Sequence, residues 1–338
     1  SPQWLNKAIE ASPFLIFPYR TEMYEALEEL MPLNNHWKLK YYAALVLWKK
    51  ERTAEAKELF SQCGNAPAYS GFYMAKSKLF KDDPVMAGQA LKKAKEIAPN
   101  DWRIDLAIID RHIKDKEYLL AAKIAKQHYA KNRELSIMGM RYASALLKAG
   151  KIQKSLNFLK NFEIIPFEGA TEGRQIYNEA HLRLALNALK KGNFNTSIEH
   201  AQKAKSWPIN LGAGKPYNPD ERLENSILAH CHDRMGNSKK AEEYTAKVMD
   251  HNFDPNNQKN AALYLQFMAI KKSRGESKAL AFVQKATATD STNAYHQWVV
   301  AKTKKNSEAT KAAETLIKKS PNITQFLLLK DFLNIIKN

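Results

Sequence analysis

Two stretches of the sequence, 163–176 and 207–221, combine glycine, proline, aromatic residues and charges of both signs. Irregular but constrained backbone of this kind commonly carries binding groups. Ion pairs around arginine and aromatic anchors would let such a surface hold a partner. The candidate binding residues in or beside these stretches are Glu168, Glu172, Arg174, Trp207, Asn210, Lys215, Tyr217, Asp220 and Arg222.

The same stretches also fit a purely structural role. In that interpretation they are spacers that correct the twist of a helical array, with Phe167 and Trp207 packed inward. The lengths of the two stretches do not distinguish a docking surface from a spacer, so both interpretations stand at this point.

Catalytic chemistry is not predicted for this chain on its own. Asn210–Pro216 superficially suggests a phosphate-binding loop, but Pro216 stands where such a loop needs Ser or Thr, and a helix precedes it. Glu168 and Glu172, two acids of the first stretch, lack a nucleophile or base partner. If the chain contributes to catalysis in a full-length protein, these loops would line a site on a neighbouring domain.

No metal and no cofactor are predicted. His230 and His232 are two residues apart, so on a helix they point to nearly opposite faces and cannot grip one ion. The two cysteines, Cys63 and Cys231, fall at helix positions that favour small buried residues and are too few for a disulfide framework. Two cysteines do not decide between a reducing and an oxidising compartment. We favour a cytoplasmic location over a periplasmic one.

The formal net charge of +18 raises the question of nucleic acid. However, 42 of the 53 basic residues are Lys and 11 are Arg, and no aromatic residues alternate with them. Proteins that bind nucleic acids favour arginine, whose planar guanidinium can form two parallel hydrogen bonds, and aromatic rings that stack on bases. We therefore expect solvated helix faces rather than a nucleic-acid site. No apolar stretch approaches the roughly 20 residues that cross a bilayer, so no membrane contact is expected.

The elements that position these residues are predicted from a recurring triplet: a small residue, a core residue four positions later and another three beyond. Glycine, which favours positive φ at a helix end, often precedes the second helix of a hairpin, as at Gly150, Gly192, Gly236 and Gly275. The triplet recurs eight times, at Ala56/Phe60/Cys63, Ala87/Leu91/Ala94, Ala121/Ala125/His128, Ser155/Leu159/Phe162, Ser197/Ala201/Ala204, Ala241/Thr245/Val248, Ala279/Val283/Ala286 and Ala309/Ala313/Leu316.

With these triplets the chain resembles the tetratricopeptide repeat family over most of Trp37–Pro321. The resemblance implies an all-α, right-handed superhelical solenoid of about eight divergent helical hairpins. Pro99, Pro208 and Pro321 would close individual repeats. Successive lead residues are 31, 34, 34, 42, 44, 38 and 30 apart, so two junctions exceed the period of about 34.

We predict three parts: an N-terminal capping segment (1–35), the solenoid (36–322) with inserted loops near 163–176 and 207–221, and a C-terminal capping helix (323–338). End repeats need such covers. Because neighbouring repeats stack about 10 Å apart, the two inserted loops should lie side by side.

A more specific resemblance rests on Trp207–Glu224, Pro166–Arg174, Phe17-Pro18-Tyr19-Arg20 and Trp37–Leu45. These segments resemble a bacterial family of long proteins in which a β-sandwich domain of the DUF5107 type precedes a C-terminal tetratricopeptide region. The resemblance implies that this chain, which begins without Met, is the helical part of a larger protein. It also implies carbohydrate metabolism as a setting.

Three functions follow as hypotheses. The leading one is a non-catalytic interaction module whose loop-bearing edge docks a protein, first of all the N-terminal sandwich domain of its own polypeptide. In the second, the loops form part of a carbohydrate site of that larger protein. In the third, a concave groove lined by Tyr41, Tyr73, Tyr142 and Tyr264 holds an extended peptide.

Overall fold

The computed structural model describes residues 2–251, 261–288, 290–320 and 323–337. Within them the chain forms nineteen α-helices, one short 3-10 helix and no strand. The all-α prediction and its eight helical hairpins are thereby confirmed. The chain divides into two compact units, Ser1–Arg141 and Tyr142–Asn338.

The first unit is built from two leading helices and three hairpins, and the helix α9 (Ser136–Lys148) crosses its boundary. The helices are α1 (Pro2–Glu10), α2 (Thr21–Leu30), α3 (Trp37–Lys49), α4 (Thr53–Gln62), α5 (Ser70–Leu79), α6 (Pro84–Ile97), α7 (Trp102–Lys114) and α8 (Tyr118–Lys131). The N-terminal segment is fastened by the buried Lys38, whose ammonium donates to the carbonyls of Ile9 and Ala11 at the end of α1. That contact neutralises the negative end of a helix with a cation.

Aromatic residues fill the core of the first unit. Phe60 of α4 stacks on Phe72 of α5 with ring centroids 5.1 Å apart, and Tyr41 of α3 meets both rings edge-on. Phe60 and Phe72 are fully buried, which contributes about 2–3 kcal/mol each to folding. Ala56, at the start of its triplet, is also fully buried and allows the two helices of the hairpin to approach closely.

The second unit contains the remaining hairpins and a final helix. Its helices are α10 (Ile152–Lys160), α11 (Glu172–Lys190), α12 (Phe194–Ala204), α13 (Arg222–Arg234), α14 (Ser238–Met249), α15 (Leu263–Arg274), α16 (Glu276–Thr287), α17 (Ala294–Thr303), α18 (Ser307–Ile317) and α19 (Ile323–Ile335). Ser197, Ala201 and Ala204 of one predicted triplet are all buried, as the pattern requires.

The last predicted triplet is wrong at two of its three positions. Ala309 is exposed and half of Leu316 faces solvent, whereas Ala313 and Ile317 are buried. Asn306 caps the N-terminus of α18 by accepting from the amide of Ala309, and the buried stripe runs from Ala313 to Ile317 rather than to Leu316. Pro321, predicted to close this repeat, lies outside the described residues.

Six hairpin turns share one backbone conformation. The second residue after the first helix adopts a left-handed φ of 54° to 77°, and the next amide donates to the carbonyl five residues back. This is the Schellman arrangement that ends many helices. Three of the four predicted glycines occupy these turns, and charged residues occupy the others; Gly275 also has a positive φ, of 89°, but is not one of the six. The positions are Glu51, Lys116, Gly150, Gly192, Gly236 and Lys305.

The final helix, α19, lies against α11, eight helices earlier in the chain. Phe326 meets the ring of Trp298 edge-on at 5.1 Å, and Phe332 meets His230 of α13 at 6.3 Å. Leu328 is buried and Leu327 is about half exposed, so Leu327 lies on the outer side of the helix. The helix therefore contacts α11, α13 and α17 with buried aromatic and aliphatic side chains.

Candidate functional site

The two inserted stretches form loops that are fastened to each other. The first joins α10 to α11, and the second, which contains the 3-10 helix Ile209–Leu211, joins α12 to α13. The amide of Ile164 donates to the carbonyl of Asn210 at 2.9 Å. The side-chain amide of Asn210 donates to the carbonyls of Leu159 and Phe162 at 2.9 and 2.7 Å. Asn210, a predicted binding residue, thus acts as a clamp between the loops.

A buried isoleucine and two glycines complete this junction. Ile164 is 4% exposed and fits between Gly173 and Gly212. A Cβ on Gly212 would lie 2.9 Å from the Cγ2 atom of Ile164, and Gly212 has a φ of +73°. Any larger residue at Gly212 would be both strained and crowded. The loops are therefore held in one arrangement by the backbone and by close packing.

Arg174 and Arg222, predicted as partner contacts, are instead buried framework residues in the first turns of α11 and α13. Arg174 donates to the carbonyl of Ala204 at 2.6 Å, and its guanidinium lies 4.5 Å from the centroid of Trp207. Burial lowers the pKa of Arg174. Both arginines are buried and already hold elements of their own unit together, so neither presents its guanidinium at the surface.

The second arginine joins the end of the second loop to α15. Arg222 pairs with Asp220 at 2.8 Å and donates to Gln266 at 2.7 Å. Burial alone would raise the pKa of Asp220, but the Arg222 guanidinium holds it well below its usual range. Asp220 thus forms an ion pair within its own unit, although the residue itself is exposed.

Sequence reasoning missed a buried polar group between α11, α13 and α19. Asn178 donates to Glu224 at 2.6 Å and to the carbonyl of Ala204 at 3.0 Å, and it accepts from Gln325 at 3.2 Å. Glu224 is 5% exposed, and its burial raises its pKa to about 7. Asn178 lies four residues after Arg174, so both polar side chains lie on the same face of α11. That spacing was the one sign of this buried polar group in the sequence.

The outward side of the two loops is apolar. Large side chains here are exposed to an unusual degree, since a free isoleucine or aromatic ring is normally buried. Their exposed fractions are 83% for Ile165, 60% for Phe167, 94% for Ile209 and 104% for Tyr217. Phe167 was expected to pack inward in the spacer interpretation, and that expectation is wrong.

The remaining predicted residues flank this apolar surface. Glu168 and Lys215 are exposed, and Lys215 pairs with Glu221 at 3.0 Å. Glu172 and Trp207 are half-buried. The structure therefore brings the predicted residues into one region but divides them into an inner framework and an outer surface.

The other predicted polar positions have structural environments. Cys63 and Cys231 are buried thiols, as predicted, and burial raises the pKa of Cys63 to about 12. His230 contacts α19, whereas His232 stacks on Tyr244 with ring centroids 5.7 Å apart. Across the described ranges, no three His, Cys, Asp or Glu side chains are close enough to hold a metal ion.

The tyrosines proposed to face a peptide-binding groove are mostly internal. Tyr41 and Tyr73 are each 3% exposed in the first unit, so their assignment to an open groove is wrong. Tyr142 packs edge-on against Phe158 at 4.9 Å. Tyr264 is half-buried and meets the ring of Trp298 at 5.5 Å. These four residues stabilise hairpins and offer little surface to a ligand.

The fold and this site together define an all-helical hairpin-repeat protein with a fastened pair of inserted loops. None of the helices in the described part of the chain combines the length and apolar character that crossing a membrane requires. No protein-family model matches the sequence, and no curated protein matches it.

Several solved structures are similar at low identity. The type IV pilus biogenesis factor PilW is 12% identical, with 72% of this chain and 98% of PilW covered and a TM-score of 0.39. A tetratricopeptide repeat protein from Parabacteroides merdae is 14% identical, with 78% and 98% covered and a TM-score of 0.39. Yeast Tom70 is 15% identical, with 97% and 64% covered and a TM-score of 0.43. At these scores none of the likenesses bears on what this chain binds.

Proposed function

We propose that this chain is a non-catalytic protein-interaction module. Its docking surface is the loop edge, defined as the exposed side chains of Ile165, Phe167, Ile209 and Tyr217. The single observation that carries the proposal is that four large apolar side chains are exposed on two loops that are fastened to each other. Contiguous exposed apolar groups on a protein surface commonly mark an interaction site.

Preorganisation supports this proposal. The clamp from Asn210 and the close contact of Ile164 with Gly212 fix the backbone that carries the loop edge. A fixed surface loses little conformational freedom on binding, so more of the contact energy appears as affinity. A mere spacer would not need to present Ile209 and Tyr217 to solvent.

The partner that fits the loop edge is a protein surface with shallow apolar pockets. Aromatic and aliphatic anchors supply most of the binding energy in such contacts, and the flanking Glu168 and Lys215 would orient the partner. The resemblance to DUF5107 proteins supports a finer proposal, in which the partner is the sandwich domain of a larger bacterial, cytoplasmic protein.

The test is hydrogen exchange of the chain alone and within the longer polypeptide. Docking predicts protection of residues 163–171 and 207–217 in the longer form, and Ile209→Asp should remove that protection. Leu280→Asp is the matched control, because Leu280 is an exposed leucine of the same unit on α16. If the loops exchange equally in both forms, docking to a domain of the same polypeptide is excluded.

A second candidate function is a contribution to a carbohydrate site. The exposed rings of Phe167 and Tyr217 favour it, because sugar rings pack on exposed aromatic faces. Binding of a defined oligosaccharide that Tyr217→Ala abolishes and Leu280→Asp preserves would support it. Unchanged oligosaccharide binding in Tyr217→Ala would exclude the loop edge as the sugar site.

A further inference from the structure

A groove of about 520 Å³ lies between α5, α6 and α7 in the first unit. Its apolar lining comes from Met74 of α5, Leu91 of α6, and Trp102 and Leu106 of α7. Trp102 is 39% exposed, although a tryptophan of this size is usually largely buried. We call this feature the α5–α7 groove. It lies in a different unit from the loop edge.

The rim of the α5–α7 groove is basic. Lys78 and Lys81 are exposed and form no ion pair within the described residues. The ammonium of Lys114 donates to the backbone carbonyl of Lys81, so three lysines converge at the end of α5. None of the three lysines is paired with a carboxylate of the described residues, since Lys114 meets only a neutral carbonyl. The five basic lining residues are Lys78, Lys81, Arg103, Arg111 and Lys114.

Two carboxylates line the groove, and both are already paired. Asp110 pairs with Arg141, and Asp115 pairs with Arg111 at 3.3 Å. The acidic groups thus do not neutralise Lys78 or Lys81. The electrostatic balance of the groove favours a ligand with negative charge.

Arg111 is held in place on both sides. Its guanidinium lies so close to Gly88 of α6 that a Cβ there would approach Nη1 to 2.8 Å. The pairing with Asp115 fixes it from its own helix. One wall of the groove is therefore preformed rather than assembled on binding, which lowers the entropic cost of association.

We propose that the α5–α7 groove binds an acidic, amphipathic segment of a partner protein. Apolar side chains of the segment would pack on Trp102 and Leu106, and its carboxylates would pair with Lys78 and Lys81. The volume lies in the range of about 300–1,000 Å³ typical of ligand pockets, which suits a few side chains of one segment. This binding is a second interaction surface and does not depend on the loop edge.

Nucleic acid fits the groove less well than an acidic peptide. The apolar lining has one exposed aromatic ring, at Trp102, whereas single strands need a series of stacking platforms. The apolar floor of the groove and the lysines on its rim match a peptide in which apolar and acidic side chains alternate.

The test is selection of a random 12-residue peptide display library on the wild-type chain, after depletion on the Lys78→Glu/Lys81→Glu variant. The proposal predicts enriched peptides that combine Asp or Glu with large apolar residues. A fluorescein-labelled copy of the best peptide should bind at least about tenfold more weakly to Lys78→Glu/Lys81→Glu and to Trp102→Ala.

The matched control is Lys92→Glu/Lys123→Glu, which makes the same charge change at exposed lysines of the first unit outside the groove. It should keep the peptide affinity within about twofold, since surface charges away from a contact act weakly. Absence of enrichment, enrichment of peptides without acidic residues, or an equal loss in the control would overturn the proposal. So would a labelled oligouridylate that binds more tightly than any selected peptide and loses affinity with Lys78→Glu/Lys81→Glu.

Discussion

At the residue scale, the residues in and beside the two loops serve two purposes: some hold their unit together and others face solvent. Arg174 and Arg222 were attractive as partner contacts because they follow irregular loops, yet both point inward and satisfy carbonyls and carboxylates of their own unit. Tyr217 stands ten residues after Trp207 and points fully outward. Composition and spacing located the two loops, but only burial separates the residues that hold the unit together from those that face solvent.

The buried carboxyl of Glu224 makes stability depend on pH. Its pKa is raised by burial to about 7 when folded, against 4.5 when unfolded, so the folded state holds the proton more tightly between these values. Stability is thus fully present below the unfolded pKa and declines as pH rises through the folded pKa. Glu224→Gln keeps the acceptor for Asn178 and removes the titration.

We expect Glu224→Gln to be more stable than wild type by about 1–3 kcal/mol at pH 8 and about equal at pH 4.5. Urea unfolding at both pH values measures the two free energies. Glu168→Gln, at an exposed carboxylate, is the control and should stay within about 0.5 kcal/mol of wild type at each pH. A Glu224→Gln variant that loses stability at pH 8 would show that the carboxyl is charged and stabilising in the fold.

At the element scale, hairpin turns adopt the same left-handed backbone conformation whether or not glycine occupies the position. Gly150, Gly192 and Gly236 were predicted from sequence because glycine tolerates positive φ. Lys116 and Lys305 adopt the same conformation without that tolerance. A left-handed φ costs a residue with a Cβ about 1 kcal/mol relative to glycine.

Lys116→Gly should therefore stabilise the first unit by about 0.5–1 kcal/mol, and Gly192→Lys should destabilise the second by about 1–2 kcal/mol. Nothing lies within 4 Å of the Cβ position at Gly192, so the loss would report backbone strain rather than crowding. Chemical denaturation of each variant provides the free energies. If Gly192→Lys is neutral, the turn relaxes to another conformation and the shared motif is not required.

The helices and hairpins could be predicted because their triplets repeat, and each repeat packs on its neighbours in the same way. The loop junction could be predicted only in part. The spacing of the lead residues located both loops. The hydrogen bond from Asn210 to Leu159 joins positions 51 residues apart, and it does not follow from any repeating pattern in the sequence. The α5–α7 groove was not foreseen, because Lys78 and Trp102 belong to separate hairpins and meet only in the folded unit.

At the scale of the whole second unit, α19 breaks the nearest-neighbour rule of repeat arrays. In an ideal array each repeat contacts only the next, so a perturbation at one end fades along the chain. Here α19 contacts α11, the first helix of the hairpin that carries the first inserted loop. Gln325 extends this contact to Asn178 and, through it, to Glu224. The C-terminal helix should therefore influence the segment beside the loop edge.

Phe332→Ala tests this connection. Phe332 is 2% exposed in α19, so its truncation should cost about 3–5 kcal/mol and weaken the attachment of the helix. Native-state hydrogen exchange should then show lost protection in α11 (Glu172–Lys190), although α18 is closer in sequence. Leu327→Ala, on the half-exposed side of the same helix, should leave α11 unchanged. Protection lost in α17 and α18 while α11 remains protected would mean that the array transmits the change only between neighbours, and that α19 does not couple the C-terminus to the loops.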